Sequence, residues 1–165
     1  IYNRVNNKLK NLADYLDLTP VSSRGAFSEV WFLRYQEGDF VLKQTEDEAY
    51  LNFLSWVVEN QHLSAVPKVY DVKEINNTHY VLMEKLYYTN HNCDSEAQDQ
   101  GWYEHDPAVW RGLEDNSLDK VLDLLQSRFN PSEMCWDLRD TNIMQRKDGS
   151  LVVTDPWSEL PYNEW

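Results

Sequence analysis

The 165-residue sequence predicts an α+β fold. Strand-length runs dominate residues 28–83, and a single helix-period run interrupts them. Downstream, the spacing of Leu118, Val121, Leu122, Leu125 and Phe129 predicts an amphipathic helix, which a short loop and a hairpin follow.

In chain order, Val5, Leu9, Leu12 and Leu16 place an amphipathic helix over residues 4–17, stopping before Thr19-Pro20. Ser28 to Tyr35 alternates and is rich in Val, Trp and Phe, so it reads as a strand. Gln36-Glu37-Gly38-Asp39 turns it into a second strand, Phe40-Val41-Leu42-Lys43, which ends on the lysine. Residues 46–60 read as a helix with Leu51, Leu54, Val57 and Val58 on one face. Residues 68–75 and 78–83 form a hairpin across Asn76-Asn77, a pair that tolerates left-handed turn geometry. Asn116-Ser117 can cap the later helix and Pro131 follows its end. A final two-strand hairpin turns at Lys147-Asp148-Gly149, making the second half mainly helical in expectation.

Composition narrows the function classes. Seven Trp and ten Tyr mark a chain that folds rather than stays disordered, and its length suits one domain with a sizeable core. A net charge of −13 argues against direct binding of nucleic-acid phosphates. It permits a cationic partner or mimicry of a polyanion. No apolar run approaches the ~20 residues of a membrane span, and no signal peptide is read, so a soluble cytoplasmic protein is expected. Cys93 and Cys135 lie in unlike contexts without a spacing motif and read as free thiols. His91, Cys93 and His105 fit no zinc spacing, and the polar stretch 88–107 reads as a solvated acidic loop. A start at Ile1 rather than Met suggests processing or trimming.

The chemistry is carried by Asp137-Leu138-Arg139-Asp140-Thr141-Asn142, a hairpin, and then Thr154-Asp155-Pro156-Trp157. Phosphoryl transfer needs a carboxylate to accept the proton of an attacking hydroxyl, here Asp137. Oxygen ligands for magnesium complete such a site, and the resemblance to the protein-kinase template makes them an amide five residues later, Asn142, and a carboxylate after the next hairpin, Asp155. Upstream, Ser23-Arg24-Gly25-Ala26-Phe27-Ser28-Glu29-Val30 reads as a glycine-poor phosphate loop, and Lys43 ends a strand as a phosphate-binding lysine does. Glu48 is the candidate ion-pair partner that holds Lys43, although Glu46 and Asp47 also precede the helix and acidic residues there favour its N-terminus. Tyr80-Val81-Leu82-Met83-Glu84-Lys85-Leu86 resembles a strand leading into an adenine-gripping hinge.

Over roughly residues 20–158 the chain resembles the protein kinases. It is most similar in texture to the early serine/threonine kinases of T-odd (autographivirus-type) bacteriophages. Four stretches carry the likeness: Gly25-Ala26-Phe27-Ser28, Pro67-Lys68-Val69-Tyr70-Asp71-Val72, Asn142-Ile143-Met144 and Thr154-Asp155-Pro156-Trp157-Ser158. More distantly, Glu48, Ala49, Leu51 and Leu54 are similar to a helix of aminoglycoside phosphotransferases. The resemblance implies a bilobal kinase-like fold in one domain spanning 1–165. Its parts are an N-terminal helix within 1–19, a five-stranded antiparallel nucleotide-binding N-lobe with one helix over 20–86, and a reduced, mainly helical C-lobe over 87–165. It implies ATP and Mg2+ as cofactors and host proteins as substrates, in the bacterial cytoplasm.

By the same resemblance Ser23, Gly25, Phe27, Ser28 and Val30 cover the nucleotide, Met83 is the gatekeeper, and the backbones of Glu84 and Leu86 meet adenine. Arg139 stands where the family carries a lysine on the γ-phosphate, and arginine can bind phosphate bidentately. The chain also departs from the family. Gly25 is the one retained loop glycine, Cys135-Trp136 replaces His-Arg, and Pro156-Trp157 replaces Phe-Gly. Ten residues follow Asp155, where the family has an activation segment, an A-P-E motif and a helical substrate lobe. Two other readings compete: an inactive, acidic kinase-fold binding protein or DNA mimic, and an aminoglycoside-type phosphotransferase drawing a cationic substrate to the acidic loop.

Overall fold

The computed structural model describes residues 19–21, 28–35, 38–89, 107–111, 116–139 and 141–160. It is a mixed α+β structure with antiparallel sheets and, among the described residues, two α-helices. Contacts divide the chain into two compact units, one from Ile1–Asp47 with Lys68–Lys85, the other from Glu48–Pro67 with Leu86–Trp165.

The described part of the first unit is one antiparallel sheet. Its strands are β1 (Thr19–Val21), β2 (Ser28–Tyr35), β3 (Gly38–Thr45), β4 (Val69–Ile75) and β5 (Thr78–Glu84), in the spatial order β1-β2-β3-β5-β4. Central strands satisfy their hydrogen bonds on both edges, and the β-branched and aliphatic runs suit burial there. Val41, Leu42, Val81, Leu82 and Met83 are all buried. Tyr35 pairs with Gly38, so Gly38 and Asp39 belong to the strand rather than to the expected turn. Likewise β3 runs on to Thr45, leaving Lys43 within the strand rather than at its end. The β4–β5 hairpin turns where expected, with Asn76 and Asn77 at φ 53° and 65°, the left-handed pair of a type I′ turn.

The second unit contains α1 (Glu48–Glu59) and α2 (Asn116–Arg128). A three-stranded sheet is formed by β6 (Tyr87–Tyr88), β8 (Ile143–Gln145) and β9 (Leu151–Val153), and a two-stranded one by β7 (Met134–Trp136) and β10 (Trp157–Glu159). The expectation of a mainly helical second half therefore needs correction for the described residues. The hairpin of β8 and β9 is expected from its turn, whereas β6, β7 and β10, at two or three residues, are too short to show a period of two.

Helix α1, expected to go with the first sheet, belongs to this unit by its contacts. Its buried face also differs from the aliphatic stripe of Leu51, Leu54, Val57 and Val58. Tyr50, Phe53, Leu54, Trp56 and Val57 are buried, Leu51 is partly covered, and Val58 is 49% exposed. Aromatic side chains remove more apolar area from water than Val or Leu, so they set the rotation of the helix. Phe53 meets Trp157 edge-on at 6.2 Å, and Phe129 stacks on Trp136 at 4.4 Å. The Trp157 indole N–H donates to the Ala49 carbonyl at 2.9 Å, tying β10 to the first turn of α1.

Helix α2 follows expectation. Leu118, Val121, Leu122 and Leu125 are buried, and Arg128 in its last turn complements the helix dipole. No helix among the described residues is long and apolar enough to cross a membrane.

Candidate functional site

Three of the expected site residues come together in the second unit, at the ends of short strands. Asp137 follows β7, Asn142 precedes β8, and Asp155 lies between β9 and β10. The β8–β9 ladder pairs Ile143 with Val153, so the next residues outward are Asn142 and Thr154. At its far end this hairpin turns through Gly149 at φ 88°, where a side chain would be strained. The β7–β10 ladder pairs Trp136 with Trp157, so the next residues there are Asp137 and Pro156. Two hairpin-like pairings thus deliver Asp137, Asn142 and the Thr154–Pro156 segment to one place.

Backbone bonds then fix the crossing. The Asp137 N–H donates to the Pro156 carbonyl at 2.8 Å, and the Thr154 N–H donates to the Asn142 carbonyl at 2.9 Å. Asp155 is therefore held on both sides, by Thr154 to Asn142 and by Pro156 to Asp137. It is half-buried with Oδ1 shielded from solvent. The loop itself is closed by the Asn142 N–H on the Arg139 carbonyl at 2.9 Å. Beneath it Leu138 is fully buried, and the buried Trp110 donates its indole N–H to the Leu138 carbonyl.

The side chains have a defined polarity. Asn142 Nδ2 donates to the Asp137 carbonyl at 2.7 Å and to Asp137 Oδ2 at 3.3 Å. Both partners are oxygens of an ionised or carbonyl group that accept and do not donate, so the amide atom facing them must be the nitrogen. The Asn142 amide oxygen is turned away from Asp137. Arg139 Nε donates to Asp137 Oδ1 at 2.6 Å. Arg139 is 51% exposed and Asp137 24%, so this ion pair is screened and contributes little to stability. A guanidinium held so lightly can exchange a carboxylate for a phosphate.

An amide oxygen and a carboxylate form a hard donor set, which suits Mg2+. Among the described residues no cluster of three His, Cys, Asp or Glu side chains forms a fuller metal cage. Magnesium ordinarily keeps water and phosphate oxygens and takes one or two carboxylates from the protein, so these residues fit a magnesium–nucleotide.

In the first unit, Lys43 is half-buried in β3, with Val30 of β2 and Val81 of β5 as its register partners. Met83 is buried between Val41 and Val69 in the ladder. The Glu84 N–H donates to the Lys68 carbonyl at 3.0 Å, and its carboxylate accepts from the Lys68 N–H at 3.2 Å. The Glu84 backbone N–H is thus committed to the sheet edge. Ser28 and Val30 lie in β2, whereas Ser23, Gly25 and Phe27 lie outside the described residues, as do the expected 4–17 helix and His91, Cys93 and His105. Leu86 is buried and Glu48 is exposed, and both belong to the second unit.

A cavity of about 410 Å³ lined by Glu48, Ala49, Met134 and Glu159 opens at the α1 end of the β7–β10 pair, away from Asp137. Sequence reasoning passed over Thr154, whose hydroxyl also donates to the Asn142 carbonyl at 3.0 Å. A β-branched polar residue ending an apolar strand was the available signal. No protein-family model matches the chain, and no curated protein matches it.

Proposed function

We propose that this chain is a Mg-ATP-dependent serine/threonine protein kinase of bacteriophage type, with a bilobal kinase-like fold, that phosphorylates host proteins and itself in the bacterial cytoplasm. The observation that carries the reading is the double tie that brings the Asp155 segment onto both Asp137 and Asn142. The proposed catalytic carboxylate and the two proposed oxygen ligands, spread over residues 137–155, meet on a frame of backbone hydrogen bonds. The antiparallel sheet with Lys43 within β3 supports it further.

In this mechanism an Asp137 carboxylate oxygen accepts the proton of the substrate hydroxyl as that oxygen attacks phosphorus. Asn142 orients the Asp137 carboxylate through Nδ2, and with Asp155 it would hold magnesium through oxygen. The bound magnesium–nucleotide supplies the electrophilic γ-phosphoryl group. Arg139 would bind the phosphate in place of Asp137, leaving Oδ1 with a lone pair for the proton. Within the first unit Lys43 would neutralise phosphate charge from the sheet, Ser23, Gly25, Phe27, Ser28 and Val30 would cover the nucleotide, and Met83 and Glu84 would border the base.

The test is transfer of labelled γ-phosphate from ATP with magnesium, for wild type, Asp137→Ala and Asp155→Ala, alone and with bacterial lysate. Labelled protein that falls at least about a hundredfold in both variants is the expected result. Label that persists in both variants overturns the assignment. The net charge of −13 favours a second reading, an acidic kinase-fold protein that binds a basic host factor. Absence of label from wild type, together with no magnesium-dependent stabilisation by ATP, selects it.

A further inference from the structure

We infer that Thr154 is a positioning residue that sets the spacing between the two metal ligands, an inference that rests on the magnesium-site reading of Asn142 and Asp155. Thr154 is peptide-bonded to Asp155 and bonded twice to Asn142. Its N–H and its Oγ1 both donate to the Asn142 carbonyl, at 2.9 and 3.0 Å. A carbonyl oxygen has two lone pairs, so it accepts both at full strength.

The two bonds act differently. The backbone bond extends the β8–β9 ladder one step beyond Ile143 and Val153, and any residue except proline at position 154 can make it. The hydroxyl bond requires Ser or Thr. It fixes χ1 of a half-buried side chain against the ligand loop and resists rotation of the Asn142 peptide plane. Because Asn142 Nδ2 is pinned to Asp137, rotation of that plane would move the amide oxygen relative to Asp155. Residues that orient metal ligands from behind alter metal affinity without touching the ion.

The experiment measures Mn2+ binding by electron paramagnetic resonance in the presence of ADP, for the whole chain as wild type, Thr154→Val and Thr154→Ser. Mn2+ shares the octahedral oxygen preference of Mg2+ and is directly visible. Valine keeps the size, the branching and the backbone bond, whereas serine keeps the hydroxyl. The expected result is a loss of Mn2+ affinity of about tenfold in the valine variant and less than about twofold in the serine variant. Metal-free ADP affinity should stay unchanged in both. Equal Mn2+ affinity in wild type and Thr154→Val overturns the positioning role, as does an equal loss in both variants, which assigns the effect to packing. If wild type itself binds no Mn2+ with ADP, the magnesium-site reading fails and the inference falls with it.

Discussion

Asn142→Asp exchanges one amide nitrogen for oxygen with almost no change of shape, so it isolates what the Nδ2 contacts do. The new carboxylate would face the Asp137 carbonyl and Oδ2 across the 2.7 and 3.3 Å now spanned by hydrogen bonds. Two acceptors would confront each other and one like-charge pair would form. The expected cost is about 1–3 kcal/mol of folding stability, read as a lower urea midpoint with unchanged slope. The loss should shrink when Asp137→Ala is added, because the two residues share one network. Additive effects would mean that the amide does not orient Asp137.

Among the elements, the β8–β9 hairpin turns at the Lys147-Asp148-Gly149 stretch expected from the sequence, and it carries both proposed metal ligands on its open end. Its turn is closed by Asp148, whose carboxylate accepts from the Ser150 hydroxyl at 2.7 Å and the Ser150 N–H at 2.9 Å. These bonds favour the ionised form, the hydroxyl bond most, and hold the Asp148 carboxyl below its ordinary value of 3.8. The sign follows from linkage. A depressed folded-state value gives stability that is fully present above the unfolded value and is lost as pH falls through the folded one. Asp148→Asn should therefore be less stable than wild type at pH 7, with the difference vanishing as pH falls below the depressed value. Urea midpoints across an acid pH series check this, and a pH-independent difference would refute it. Helix α1 teaches the opposite lesson about legibility. Its helical period was readable, but its buried face was set by Tyr50, Phe53 and Trp56 and by the Trp157 bond to Ala49, none of which the aliphatic stripe reveals.

At the scale of the whole molecule, 28 acidic against 15 basic residues give a net charge of −13, with His neutral. Self-repulsion at that charge opposes compaction, and added salt screens it over a Debye length of about 10 Å at 0.1 M. The thermal midpoint is expected to rise between about 10 mM and 150 mM NaCl. A flat or falling midpoint would indicate that the acidic residues are already paired in the fold.

From the amino-acid order alone came the α+β class, strands β2 to β5 of the first sheet, the Asn76-Asn77 turn, the Leu118 to Leu125 face of α2 and the proposal of Asp137, Asn142 and Asp155 as site residues. Each rests on local information: side-chain period, turn residues with the right backbone freedom, and the spacing of oxygen donors. Tertiary structure decided the rest. It assigned α1 to the second unit, turned its aromatic face inward, formed the short β6, β7 and β10 strands, and recruited Thr154. Those outcomes depend on which distant N–H finds which carbonyl and which aromatic volume fills which gap, and neither leaves a periodic trace in the chain.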